Sequence, residues 1–221
     1  MPTTSKPLIY LASASPRRSA LLTQIGVGHQ VHAVDIDERA LPDEPPQSYV
    51  MRLARVKAQT LWERLPAGER LPVLGSDTTV ALGADILGKP RDRDDGLRML
   101  AKLSGQTHQV FTAVALCHDR GCDLRLSASE VTFCALTAVE IAAYWETGEP
   151  ADKAGGYAVQ GLAAVFIERI AGSYSGIMGL PLYETAALLQ LIGWRLPAPV
   201  AIANTSESTA SSERRAAGAN G

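Results

Sequence analysis

The chain has 221 residues, 46% hydrophobic and 20% charged, with a formal net charge of -2. A chain of this size buries roughly 70% of the surface it exposes unfolded, so a full core is available without disulfides or a structural metal. The near-neutral balance excludes the global basic field that holds polymeric nucleic acid, so any phosphate recognition must come from a local site.

In chain order, Pro7 to Ala12 is apolar and rich in strand formers, and predicts a short buried strand. Ser15-Pro16 then gives a helix start, serine as N-cap and proline at the first helical position, and Gly26 ends that helix. Acids and prolines between 35 and 47 predict a loop. Val50, Leu53, Ala54, Ala58 and Leu61 recur at helical spacing and predict a helix from Ser48 to Trp62. A second buried strand, Val73-Leu74, runs into Gly75-Ser76-Asp77-Thr78-Thr79-Val80, and Gly88-Lys89-Pro90 reads as a turn. Leu97, Leu100 and Leu103 mark an amphipathic helix over Asp94 to Leu103. Val110 to Cys117 and Ser127 to Cys134 read as paired strands joined by a polar connection, His118 to Asp123. Thr137 and Glu140 form a capping box for a helix through Trp145. Ala163 to Ile170 predicts a strand, and Leu182 to Ile192 a helix bracketed by Pro181 and Gly193. Interleaved strands and helices give a mixed α/β fold in one domain over residues 1–199. Residues 200–221, dominated by Ala, Ser, Thr and Gly after Asn204, read as a disordered low-complexity tail.

Three cysteines, Cys117, Cys122 and Cys134, are an odd count and point to strand thiols in a reducing compartment. Cys117, His118 and Cys122 lack the second ligand pair that a tetrahedral metal site requires. No apolar run approaches the ~20 residues of a membrane span. The run Leu8 to Ala12 is too short for a signal peptide, so the expected location is cytoplasmic, with no membrane partner.

Three segments concentrate the chemistry. In Ser13-Ala14-Ser15-Pro16-Arg17-Arg18, two arginines occupy a helix's first turn, where the dipole favours acids. Exposed N–H groups at such a terminus bind phosphate, which would resolve that conflict. Asp77 directly follows a buried strand, a common place for a hard-cation ligand or general base. Asp152 to Gly161 holds three glycines in seven residues, Gly155, Gly156 and Gly161, and so permits close backbone approach to a ligand. Gln160 in that segment offers both a donor and an acceptor for a base edge. Lys57 and Lys89 are candidate phosphate partners, and Glu38 a second carboxylate for a metal. Each segment alone has an ordinary structural reading, as cap, turn or solvated charge. P-loop, dinucleotide, nucleophile-elbow and H-E-x-x-H patterns are all absent from the sequence.

Together these segments resemble the Maf family of nucleoside triphosphate pyrophosphatases. The matching pieces are LASASPRR at 11 to 18, RLARVKA at 52 to 58, GSDTTV at 75 to 80 and LGKP at 87 to 90. LSGQTHQVFTAVAL (103 to 116), GEPADKAGGYAVQG (148 to 161) and GLPLYET (179 to 185) complete the order. The resemblance implies an α/β fold with a central mixed sheet and a cleft between two lobes, as in inosine triphosphatases. It implies pyrophosphate release from nucleoside triphosphates with Mg²⁺ or Mn²⁺. Asp77 matches the catalytic aspartate and a metal ligand, and Glu38 an acidic position near the metal. Arg17, Lys57 and Lys89 match phosphate-holding positions, with Ser13 and Ser15 beside them. Arg17, Thr78 and Gln160 match the dTTP/UTP type rather than the type acting on 7-methyl-GTP. Ser76 stands where alanine is usual, and Ser175-Gly176 replace bulkier residues, which is expected to loosen the base pocket. The competing class is a nucleotide-binding regulator of cell division without significant turnover, and a third reading keeps the pyrophosphatase but prefers modified nucleotides such as 7-methyl-GTP. A homodimer is left open.

Overall fold

The computed structural model describes residues 8–196. The tail at 200–221 lies outside them. Seven strands form one mixed sheet in the order β2-β1-β3-β5-β6-β7, with β4 also pairing β3. These are β1 (Ile9–Leu11), β2 (His29–Val31), β3 (Val73–Leu82), β4 (Asp85–Leu87), β5 (Thr107–His118), β6 (Gly121–Phe133) and β7 (Ile167–Ala171). The helices are α1 (Pro16–Gln24), α2 (Pro46–Arg64), α3 (Arg93–Leu103), α4 (Ala138–Glu146), α5 (Tyr174–Met178) and α6 (Leu182–Leu191). Among the described residues, no helix is long and apolar enough to cross a membrane.

Strand alternation feeds two opposite cores. Leu74, Val114 and Leu116 point to the face covered by α1 and α6, where they meet Leu21, Leu22, Leu188 and Leu189. Val73, Phe111, Ala113 and Ala115 point the other way, onto the Val50-Ala54-Ala58-Leu61 stripe of α2. A third cluster gathers Leu100, Leu103, Phe133, Ile141, Tyr144 and Tyr157 around α3 and α4. The first two clusters and the third correspond to the two expected lobes, and the long strands β3, β5 and β6 run through both.

The sheet has a gap that matters for function. Strand β1 pairs β3 in parallel only at Val73 and Leu74. Strand β4 pairs the same edge of β3 from Val80 to Leu82, while β5 occupies the other edge from Val73 to Ala81. From Gly75 to Thr79 the edge of β3 has no strand beside it, and the chain leaving β1 at Ala12 turns away into α1. A crevice opens there, where a parallel strand runs out next to an antiparallel extension.

Several expectations shift. Helix α2 starts at Pro46, not Ser48, because the prolines that suggest a loop also supply the φ of a helix's first turn. Ala163 to Phe166 belongs to a 3₁₀ turn (Leu162–Phe166), and β7 begins only at Ile167. Four of the six residues in the polar connection from His118 to Asp123 lie in strand, since β5 and β6 join through a two-residue turn at Asp119-Arg120. That register sets Cys117 opposite Cys122, and the two form a disulfide; Cys134 keeps its thiol. The reading of all three as unpaired strand thiols is therefore corrected for two of them. The capping box at Thr137 and Glu140 is present as expected.

Candidate active site

The gap beside β3 opens into a cleft of about 580 Å³, within the range of small-molecule pockets. All nine residues singled out in the sequence line it: Ser13, Ser15, Arg17, Glu38, Lys57, Asp77, Thr78, Lys89 and Gln160. They come from the start of α1, the loop before α2, α2 itself, β3, the β4–α3 turn and the glycine-rich segment.

At its centre, the Lys57 ammonium lies 2.7 Å from Asp77 Oδ1 and 2.6 Å from Glu38 Oε1. Lys57 and Asp77 are only 8% and 7% exposed, so this is a buried ion pair that opens on one side to the cleft. Lys57 sits inside the apolar stripe of α2, which is why it faces the sheet. Gly75 lets α2 approach closely enough for the contact: a Cβ there would meet Ala58 N at 2.7 Å and the Ala54 carbonyl closer still. Burial pushes the Asp77 carboxyl above its usual range, against the opposing pull of Lys57 and Arg18. Glu38 is more open, and its carboxyl lies below the usual range: burial pushes up, but the bond and charge of Lys57 outweigh it. Tyr49 also lines the cleft, and burial with Asp77 nearby pushes its phenol up to about 12.

Asp77 lies in the middle of a ten-residue strand, not at the end of one. The β-branched run Thr78-Thr79-Val80 continues the pairing with β5, and Asp77 meets the cleft along the stretch of β3 that has no strand on its other edge.

The opposite wall is organised by Arg18, half-buried beside Arg17. Its Nε donates to Gly179 O at 2.8 Å, Nη1 to Ser13 Oγ at 3.0 Å and Nη2 to Thr78 Oγ1 at 3.3 Å. Thr112 Oγ1 lies 2.8 Å from Gly176 O, which can only accept, so the Thr112 hydrogen goes there. Thr112 then accepts from Thr78 at 2.9 Å, and Thr78 from Arg18. The Thr78 hydrogen is thereby committed inward. Burial lowers the basicity of Arg18, with Asp77 opposing, and the group stays cationic. Ser15 occupies the N-cap position of α1 without a side-chain capping bond, and no acid stands in the first turn.

Sequence reasoning passed over Arg18, Tyr49 and Arg52 as site residues. The Tyr49 hydroxyl donates to Glu38 O at 2.9 Å, and Arg52 donates to Arg39 O and binds the Glu44 carboxylate. These two side chains, three apart on α2, strap the acidic loop over Lys57. Their spacing was the available signal. Ser175 and Gly176 lie outside the cleft lining. The place of a Gly176 side chain is filled by Ser173 and Ser127, and Ser175 Oγ accepts the Leu182 N–H, so the expected loosening of the pocket does not occur. Ser76 is fully buried, its hydroxyl between Ala113 O and Gly179 O.

The donor set fits a divalent cation of the Mg²⁺ kind. Asp77 and Glu38 bring two hard carboxylates to one point, and such ions bind through one or two carboxylates plus substrate phosphates. Among the described residues there is no cluster of three or more His, Cys, Asp or Glu, as a dedicated protein cage would need.

Fold and cleft together define an α/β protein whose cleft gathers Arg17, Arg18, Lys57 and Lys89 around the carboxylates of Asp77 and Glu38. The chain belongs to the Maf family: the model of that family, described as Maf-like protein, matches residues 8–192. The dTTP/UTP pyrophosphatase of Alkalilimnicola ehrlichii is 54% identical over 187 residues, covering 83% of this chain and 92% of its own. Those of Pseudoalteromonas atlantica and Methylobacillus flagellatus are 51% and 52% identical, covering 82% and 86% of this chain and 95% and 94% of theirs. Among solved structures, a nucleoside-triphosphatase / dITP/XTP pyrophosphatase from Mycobacterium abscessus overlaps 57% of this chain and 73% of its own. The two chains are 18% identical there, with a TM-score of 0.40.

Proposed function

We propose that the chain hydrolyses dTTP and UTP to the nucleoside monophosphate and pyrophosphate, with Asp77 as general base. The observation that carries this reading is the meeting of a buried, proton-attracting carboxylate with Lys57, Arg17, Arg18 and Lys89 around one cleft. A water oxygen attacks the α phosphorus, its proton passes to Asp77, and the bond from the α phosphorus to the bridging oxygen breaks. The electron pair leaves on pyrophosphate, and the four cations with the open N-terminus of α1 stabilise the charge that builds there. Asp77 and Glu38 would hold a divalent cation, Mg²⁺ or Mn²⁺, which supplies charge neutralisation between carboxylates and triphosphate. Gln160 and Thr78 read the pyrimidine. The relatives named for dTTP and UTP support the choice of base.

The test is Asp77→Asn, assayed for pyrophosphate release from dTTP and UTP beside a thermal melt. A fall of at least ~10²-fold in kcat with the fold intact is expected. Undiminished turnover in the folded variant would remove Asp77 from the chemistry.

A further inference from the structure

Gln160 lines the cleft, yet the segment that carries it is held from outside. The Gly155 N–H donates to Gly88 O at 3.0 Å, next to Lys89. The Tyr157 hydroxyl bonds buried His108 Nε2 at 2.8 Å. The Ala158 N–H donates to the Tyr144 hydroxyl at 3.3 Å, and Tyr144 passes its own hydrogen to Glu149 Oε1 at 2.7 Å. The same carboxylate accepts the N–H of Leu162 on Oε2 at 2.9 Å and of Ala163 on Oε1 at 3.2 Å. Gly161, the residue after Gln160, lies directly on it: a Cβ there would come within 2.5 Å of Oε1 and closer still to Oε2.

Restraints from both sides of Gln160 therefore converge on one carboxylate that does not line the cleft. All three of its partners are donors, and an ionised carboxylate is the side chain that only accepts. Tyr144 gives its single hydrogen to Glu149, which fixes the hydroxyl and leaves its lone pairs to accept from Ala158. We propose that Glu149 is a positioning residue for base recognition, fixing Gln160 through Tyr144 on one side and through the backbone of 161–163 on the other. This rests on the reading of Gln160 as the base contact.

The test is a double-mutant cycle on the full chain: wild type, Glu149→Gln, Gln160→Ala and the pair, with kcat/KM measured for UTP and GTP. Glu149→Gln keeps the volume but turns an amide N–H₂ toward donors. Each single variant is expected to lower the UTP:GTP ratio at least fivefold, mainly through KM for UTP, with kcat within threefold. The pair is expected to match Gln160→Ala within twofold. A Glu149→Gln ratio within twofold of wild type, or a pair equal to the product of the singles, overturns the proposal. Should Glu149→Gln not fold, Tyr144→Phe cuts the Tyr144 arm alone and is expected to lower the UTP:GTP ratio at least threefold; a ratio within twofold of wild type overturns the proposal in the same way. If Gln160→Ala leaves the ratio unchanged, the base-contact reading falls instead, and this proposal with it.

Discussion

Replacing Gly75 by alanine tests how the fold builds the site. Gly75 lies on β3 two residues before Asp77 and faces α2, the helix that carries Lys57. An added Cβ would stand 2.7 Å from Ala58 N and 3.0 Å from Ala58 Cβ, both part of the helix itself. Ordinary contact begins at about 3.5 Å, so α2 has to retreat by about 1 Å. Overpacking of this kind costs about 1–3 kcal/mol, which in a chain of this size lowers Tm by roughly 2–12 °C. The same retreat stretches the 2.7 Å contact between Lys57 and Asp77 beyond hydrogen-bond length. A displacement of about 1 Å at reacting groups is worth up to ~10² in rate. Gly75→Ala should therefore lose activity out of proportion to its melting shift, read by pyrophosphate release below Tm and by calorimetry. A variant with wild-type Tm and turnover within twofold would refute the claim that this close approach sets the ion pair.

Two further perturbations follow from the titrating groups. Lys57→Met removes the main cation holding the Asp77 carboxyl down against burial, so the acid limb of the kcat/KM profile should move to higher pH; an unmoved limb would detach Asp77 from that limb. His108 is buried and held neutral, its pKa pulled down to about 4. The unfolded chain binds that proton first, so stability is full above about pH 6.5 and declines by ~3 kcal/mol as pH falls towards 4. His108→Phe should flatten this part of the denaturation midpoint against pH, and a slope equal to wild type would assign it elsewhere.

The periodicity of α2 placed Lys57 among apolar positions, and that was already a statement that its ammonium faces the sheet. Asp77 was legible as a carboxylate at core-strand depth. Its true position, mid-strand, depends on β1 ending at Leu11 and β4 starting at Asp85, which no local pattern contains. The three-residue strands β2 and β4 escaped for the same reason: they exist through pairing with β1 and β3, not through their own alternation. Arg17 and Arg18 are adjacent in sequence but about 100° apart on a helix, so composition named the pair without saying which one organises the wall. Cys117 and Cys122 read as separate thiols because the turn between them is shorter than its polar residues suggested.

The arrangement of charge leads to a last prediction. The chain holds Arg17 and Arg18 where the α1 dipole repels them, with neither an acid nor a side-chain cap in the first turn. Arg18 has five N–H groups and, among the described residues, three protein partners, which leaves two donors for a ligand. Lys57 is shared between two carboxylates that a bound cation would claim. Each of these is a local cost that a polyphosphate with its cation relieves, so the relief enters the affinity and binding should stabilise the fold by linkage. At a ligand concentration of ~100 Kd, linkage gives about 2.7 kcal/mol, or roughly 5–11 °C in Tm. The assay is a melt with an α,β-imido analogue of UTP plus Mg²⁺, in wild type and in Arg18→Ala. The variant should lose most of the shift at equal ligand, and added salt should diminish it in wild type. An analogue that leaves Tm unmoved at millimolar concentration, or raises it equally in Arg18→Ala, would mean that the cations of this wall do not serve a phosphate chain.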